Sequence, residues 1–225
     1  MPWPLTERVP ITRRRAVQWG GAALALFALG GCDSGGKWHE IDVSESSPPL
    51  SFTMTRASDG KKVTQADYRG RLVMLYFGYT YCSDLCPTTL SNIATVLQRL
   101  GPEARDVSVL FVTVDPNRDT RPVLASYVKA FAPEIDGLRG TPDQLAALAR
   151  RYRVVYSVTP ATEGQPYEVT HSSAIYVFDR AGNAQLLVPS MASTTPDLSG
   201  TTADLQKLVS APTASGLLAW LRQLV

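Results

Sequence analysis

The residues of this chain whose types and spacing most readily do chemistry are Cys82 and Cys86, in the run Cys82-Ser83-Asp84-Leu85-Cys86. They follow an apolar run that ends at Phe77 and precede a segment with helical spacing, so the pair stands at a helix N-terminus. Unpaired backbone N–H groups and the positive end of the helix dipole favour thiolate there. Thiolate is both the nucleophilic and the metal-ligating form of cysteine. Two chemistries follow, disulfide exchange within the pair or capture of a soft metal. A purely structural disulfide fits less well: closing five residues gains roughly 2 kcal/mol of loop entropy, against ~3 for fifteen. A clip that short suits a reversible redox or metal site. His171 lies far downstream, before another strand. On its own it reads as an ordinary satisfied histidine.

The elements that must position these residues can be read from periodicity. Leu72 to Phe77 is apolar without alternation, as in a strand buried on both faces. Pro87 suits the first helical turn, and Leu90, Ile93, Ala94, Leu97 and Leu100 keep helical spacing until Gly101 closes the helix. A second buried strand is expected over 107–114 and a helix over 123–131, with a further helix opened by Thr141-Pro142 and carrying Leu145, Leu148, Ala149 and Tyr152. Leu50 to Thr55 and Lys62 to Thr64 flank Asp59-Gly60, a hairpin signal. Segments 172–178 and 184–188 surround a second turn, and Leu205, Leu208, Val209, Leu217, Leu218, Leu221 and Leu224 suggest a packed terminal helix. Strands with helical crossovers make this an α/β chain with a central mixed sheet flanked by helices.

The N-terminus indicates where such a site works. Arg8, Arg13, Arg14 and Arg15 precede an apolar stretch from Trp19 to Leu29, which ends in Leu29-Gly30-Gly31-Cys32. This is the layout of an export signal with a small-residue cleavage site. The stretch is too short for a membrane span, which needs ~20 residues. Leucine three positions before the cysteine resembles a bacterial lipobox, which implies lipidation at Cys32; plain secretory cleavage is the alternative. Asp33 resembles an inner-membrane retention signal, and Thr12-Arg13-Arg14 faintly resembles a twin-arginine motif. Residues 1–31 are thus expected as a lipoprotein signal peptide, 32–49 as a flexible membrane tether and 50–225 as one domain. A tether of ~17 residues reaches roughly 20 to 25 Å, and His39 within it is expected to be solvated. Removing the leader leaves 18 cationic and 19 anionic side chains, net −1, so no basic field for nucleic acid remains.

A strand leading into a cysteine pair at a helix start, followed by βα and a closing hairpin with helix, is thioredoxin-like in order. Four runs narrow the comparison: Gly78-Tyr79-Thr80-Tyr81-Cys82-Ser83-Asp84-Leu85-Cys86-Pro87-Thr88, Val114-Asp115-Pro116-Asn117-Arg118-Asp119-Thr120, Gly137-Leu138-Arg139-Gly140-Thr141-Pro142, and Thr170-His171-Ser172. Together, over about residues 48 to 210, they resemble the SCO/SenC family. The resemblance implies a membrane-tethered, thioredoxin-like, single-domain metallochaperone. It would bind copper, as Cu(I), Cu(II) or both, through Cys82, Cys86 and His171, and assist assembly of the binuclear copper site of cytochrome c oxidase. Implied partners are the copper-receiving oxidase subunit, other periplasmic copper chaperones or thiol reductants, and the inner membrane on its periplasmic side through the lipid anchor. Three departures stand out: Ser83 where proline is common, Tyr81 where histidine is frequent, and a proline displaced past Arg121 to Pro122.

The donor chemistry agrees with that resemblance. Thiolates suit Cu(I), imidazole suits both copper states, and Cys-Cys-His is one ligand short of a closed structural zinc site. Asp115, at the end of its strand, shares the sheet edge with the cysteine loop. It reads either as a carboxylate orienting the metal-binding histidine or as plain turn and helix-start chemistry. Arg118 is a candidate to offset thiolate charge, and Met191 reads as apolar filler. Three function classes follow: a copper-binding assembly factor, a thiol-disulfide oxidoreductase acting on the cysteines of the copper-receiving subunit through a redox-active Cys82–Cys86 pair, and, least favoured, a peroxidase-like thiol enzyme.

Overall fold

The computed structural model describes residues 38–162, 167–189 and 191–211. Among them the chain order is β1 (Ile41–Asp42), β2 (Thr53–Arg56), β3 (Lys62–Thr64), β4 (Leu72–Gly78), α1 (Leu85–Leu100), β5 (Val107–Thr113), α2 (Arg121–Lys129), β6 (Ile135–Arg139), α3 (Pro142–Arg151), β7 (Tyr156–Thr159), β8 (Glu168–His171), β9 (Ile175–Phe178), β10 (Ala184–Val188) and α4 (Leu198–Ser210). The main sheet runs β1-β10-β9-β4-β5-β6-β2-β3, and β7 and β8 form a separate two-stranded sheet. Strands β4, β5 and β6 are parallel, whereas β9 joins β4, and β2 joins β6, antiparallel. A β-α-β unit followed by an antiparallel hairpin and a helix is the thioredoxin-like core.

The unbroken apolar run of β4 divides by pleat. Leu72, Met74 and Tyr76 enter one buried cluster with residues of α1, α2 and α4, while Val73, Leu75 and Phe77 enter the other with Leu145, Leu148 and Ala149 of α3. Strand β5 does the same with Val109 and Phe111 against Leu110 and Val112. The central strands are therefore fixed from both sides, and whatever sits at their C-terminal ends inherits that rigidity. The Asp59-Gly60 hairpin, the helix closed by Gly101 and the Thr141 start all form; Thr141 makes a reciprocal capping box with Gln144.

The N-terminal boundary differs from expectation. Residues 38–49, expected as part of the tether, belong instead to the compact unit that includes Trp38 onward, rather than one starting at Leu50. Ile41 and Asp42 pair with Leu187 and Leu186 on β10, and the backbone N–H groups of His39 and Glu40 donate to buried Asp204 at 2.8 and 2.9 Å. The strap is held by backbone and carboxylate bonds with few apolar side chains, so its composition resembles a linker. Residues 1–37 and the expected continuation of the terminal helix through Leu217, Leu218, Leu221 and Leu224 lie outside the described residues. Among the described residues no helix is long and apolar enough to cross a membrane.

Candidate metal centre

Strand β4 delivers the chain to Gly78, whose missing side chain makes the site possible. A Cβ there would lie 2.6 Å from the Phe111 ring and 2.9 Å from Cys86 Sγ. Seven residues on, α1 starts at Leu85 with Asp84 at its N-cap, yet the Asp84 side chain makes no capping bond. The sulfur of Cys82 takes that role: it accepts the backbone N–H of Cys86 at 3.3 Å. Pro87 removes one further orphan donor from the first turn. Helix capping and thiolate stabilisation are thus one interaction.

Both cysteines are free thiols; Cys86 is buried and Cys82 partly exposed. The hydrogen bond from Cys86 holds the Cys82 sulfur far below the ordinary thiol range, with backbone N–H groups of Cys86 and Asp84 adding to it. The same bond, followed by burial, pushes Cys86 the other way. The pair is therefore unequal, Cys82 being pushed toward thiolate and Cys86 toward thiol.

His171, the last residue of β8, points its Nε2 at Cys86 Sγ across 3.3 Å. Its Nδ1 faces the Ser172 carbonyl at 2.9 Å, which places the proton on Nδ1 and leaves the Nε2 lone pair toward the sulfur. The ring stands edge-on to Tyr79 and Tyr76, with centroids 5.7 and 6.1 Å away. The donor atoms of Cys82, Cys86 and His171 all lie within 4.8 Å of one another, the one such cluster among the described residues. Ligands about 2.0–2.3 Å from a shared ion stand at most about 4.6 Å apart. A single soft metal fits this trio with little movement, and among the described residues no fourth Cys, His, Asp or Glu joins it.

Asp115 and Arg118 stand beside the centre, and Asp115 closes the turn that leads into α2, its Oδ1 accepting the Arg118 N–H at 3.5 Å and its carbonyl the Asp119 N–H at 3.0 Å. The carbonyl that faces His171 Nδ1 is that of Ser172, and the N-cap of α2 is Thr120. Asp115, buried, pairs with the Arg118 guanidinium and accepts the Tyr167 hydroxyl at 2.7 Å. Arg118 lies 3.9 Å from the Tyr167 ring centroid, 4.9 Å from Tyr81 and 5.8 Å from Tyr79, and donates to the Tyr167 carbonyl at 3.3 Å. Its charge is spent on aromatic faces and on Asp115, and it joins the cysteine loop to the β7–β8 hairpin that carries His171.

Two positions escaped the sequence reading. Asp119, fully buried, accepts the Thr80 hydroxyl at 2.6 Å, the Thr80 N–H at 3.1 Å and the Thr113 hydroxyl at 2.5 Å. It ties the cysteine loop to the end of β5, and burial raises its pKa despite these donors. Tyr76 places its hydroxyl 3.5 Å from Cys86 Sγ. Asp119 lies in a quoted motif without an assigned role, and Tyr76 is masked by the apolar run around it. Met191 is buried in the core, as expected.

A thioredoxin-like core with a thiolate capping its first helix, and an imidazole brought across to the second thiol, defines a class: thiol sites built to take and release a soft metal or a disulfide. Within it the chain belongs to the SCO1/SenC family, whose family model matches residues 47–209. It is 45% identical over 125 residues to the protein described as SCO2 homolog, mitochondrial, of Bos taurus, covering 55% of this chain and 47% of that protein. The chain spans about half the length of the curated relatives of this kind. Among solved structures it is similar to Arabidopsis thaliana ScoI with copper bound, with TM-score 0.63, 33% identity, and coverage of 72% of this chain and 97% of that one. Bradyrhizobium japonicum ScoI with copper bound gives TM-score 0.63, 33% identity, and 72% and 99% coverage.

Proposed function

We infer that this chain is a copper metallochaperone that holds copper on Cys82, Cys86 and His171 and hands it to the copper-receiving subunit of cytochrome c oxidase. The observation that carries this reading is the convergence of two thiol sulfurs and one imidazole nitrogen within 4.8 Å, in a family with copper-bound structures. Ligation needs both sulfurs as thiolate, so reduced protein should take up one Cu(I) and lose it on verified disulfide formation. Stoichiometric Cu(I) retained by the disulfide form would overturn the assignment. The chain is placed on the periplasmic side of a bacterial inner membrane through lipid on Cys32, a reading supported by the Leu29-Gly30-Gly31-Cys32 run. Mass spectrometry of the processed N-terminus tests it, and an unmodified Cys32 sinks it.

One observation favours a second reading. Cys82 is partly exposed and its pKa is lowered, whereas Cys86 is buried and its pKa is raised. This division suits a thiol-disulfide reductase of the oxidase subunit's cysteines. A strain carrying only His171→Ala decides between them: normal oxidase assembly there, with Cys86→Ser inactive, selects the reductase.

A further inference from the structure

Strand β4 presents a wholly apolar run to the core except for one hydroxyl, that of Tyr76. The side chain is fully buried, its ring 5.7 Å from Phe111 and 6.1 Å from His171. Phenylalanine would fill the same space without a polar group to satisfy, and a buried hydroxyl left unpaired is destabilising. The partner that Tyr76 finds is Cys86 Sγ, at 3.5 Å. Each sulfur of the pair therefore has its own donor: a backbone N–H for Cys82 and a phenol for Cys86. The phenol is the one that comes from outside the Cys82–Cys86 loop.

We propose that Tyr76 is a positioning residue that sets the copper preference of the site: in the copper-bound protein, where both sulfurs are thiolate, its hydroxyl donates to Cys86 Sγ and draws electron density away from that ligand. A thiolate so engaged gives less charge to the metal. That loss weakens the bond to Cu(II) more than the bond to Cu(I), since hydrogen bonding at cysteine sulfur tunes copper potentials. The inference rests on the copper reading above and deepens it: the chain keeps its cargo reduced through a hydrogen bond outside the ligand set.

The test compares full-length wild type, Tyr76→Phe and Tyr127→Phe, each loaded with Cu(II) and, separately, with Cu(I). Tyr127 is the control: its hydroxyl is also buried near the site but makes no hydrogen bond among the described residues. In Tyr76→Phe the sulfur-to-copper charge-transfer band should move to lower energy, and the ratio of Cu(II) to Cu(I) affinity should rise about tenfold, the size of one hydrogen bond to a charged group. Tyr127→Phe should leave both unchanged. Fluorotyrosine at position 76, a stronger donor of nearly the same shape, should move the band the opposite way, and it carries the test if Tyr76→Phe does not fold. An unmoved band in the position-76 proteins, or an equal shift in Tyr127→Phe, overturns this inference alone. A wild type that takes up no copper overturns it together with the copper reading.

Discussion

The two halves of the ligand set are built on different principles. Cys82 and Cys86 stand where β4 meets α1, with core packed against both faces of the strand and the Gly78 position closed to any side chain. His171 arrives on β7–β8, a two-stranded sheet outside the main one, whose β7 residues Ser157, Val158 and Thr159 are exposed. Its polar ties to the rest of the domain include the Arg118–Tyr167–Asp115 node and the approach of Nε2 to Cys86. Two ligands are thus set by the core before any metal arrives, and the third is hung beside them. Such a division lets the site bind with three donors and release by loosening one.

The largest effect should come from breaking the fixed half. Gly78→Val forces new atoms against Phe111 and Cys86, and should cost about 3 kcal/mol in denaturant unfolding and abolish copper binding. A stable, copper-binding variant would show that the fixed half yields. His171→Ala, on the hung half, should invert the pattern: unfolding stability within about 1 kcal/mol of wild type, but Cu(II) affinity lower by more than about a hundredfold, beyond what loss of a supporting partner costs. Competition titration with a chelator reads it. Cu(I) should persist on the two thiolates. A destabilised His171→Ala would mean that the hairpin is part of the core after all.

Arg118→Ala should sharpen the contrast further. Loss of its stacking and hydrogen bonds should cost the hairpin about 1 kcal/mol, close to a fivefold shift in its opening. Amide exchange should speed up in β7–β8 and stay unchanged in β4 and β5; uniform change would erase the distinction. The smallest effect concerns the N-terminal strap, where Glu40 is held by Thr201 and faces Asp204, Asp197 and His39. Burial, then Asp204 and Asp197, raise its pKa, so the folded chain takes up that proton at higher pH than the unfolded chain. Stability from this group is full below its ordinary value of 4.5 and lost as pH rises through the raised one. Glu40→Gln should therefore gain on wild type at neutral pH and converge with it on acidification, in parallel unfolding curves. Curves that stay parallel would remove Glu40 from the account.

Legibility in the sequence follows the same division. Strands β4 and β5 and helix α1 could be read because burial on both faces, or on one helical stripe, writes a period into the residues. The cysteines could be read because a thiol pair before a helix has few other uses. Strand β6 could not, since Asp136 and Gly137 interrupt it; Gly137 is there because Leu124 of α2 packs where its Cβ would be. Strands β7 and β8 carry almost no core pattern, so the approach of His171 was legible only through family resemblance. The strap of residues 38–43 reads as linker because its bonds are made by backbone and by Asp204, which composition does not record. Arg118 and Asp115 were located correctly beside the site. Their real contacts, with Tyr167, Tyr81 and Tyr79, cross 30 or more positions and leave no local trace.

The burial of Cys86 gives traffic through the site a direction. An incoming thiol, from a donor delivering metal or a recipient taking it, can touch only the sulfur that is partly exposed, Cys82. On the copper-transfer reading proposed above, Cys82 would be the first sulfur exchanged on arrival and the first surrendered on departure, with Cys86 closing last and opening last. Brief treatment of the reduced protein with an alkylating reagent, followed by peptide mass mapping, should mark Cys82 well before Cys86. Equal labelling would mean that the helix start opens on its own, and that the order of hand-over is set by the partner instead.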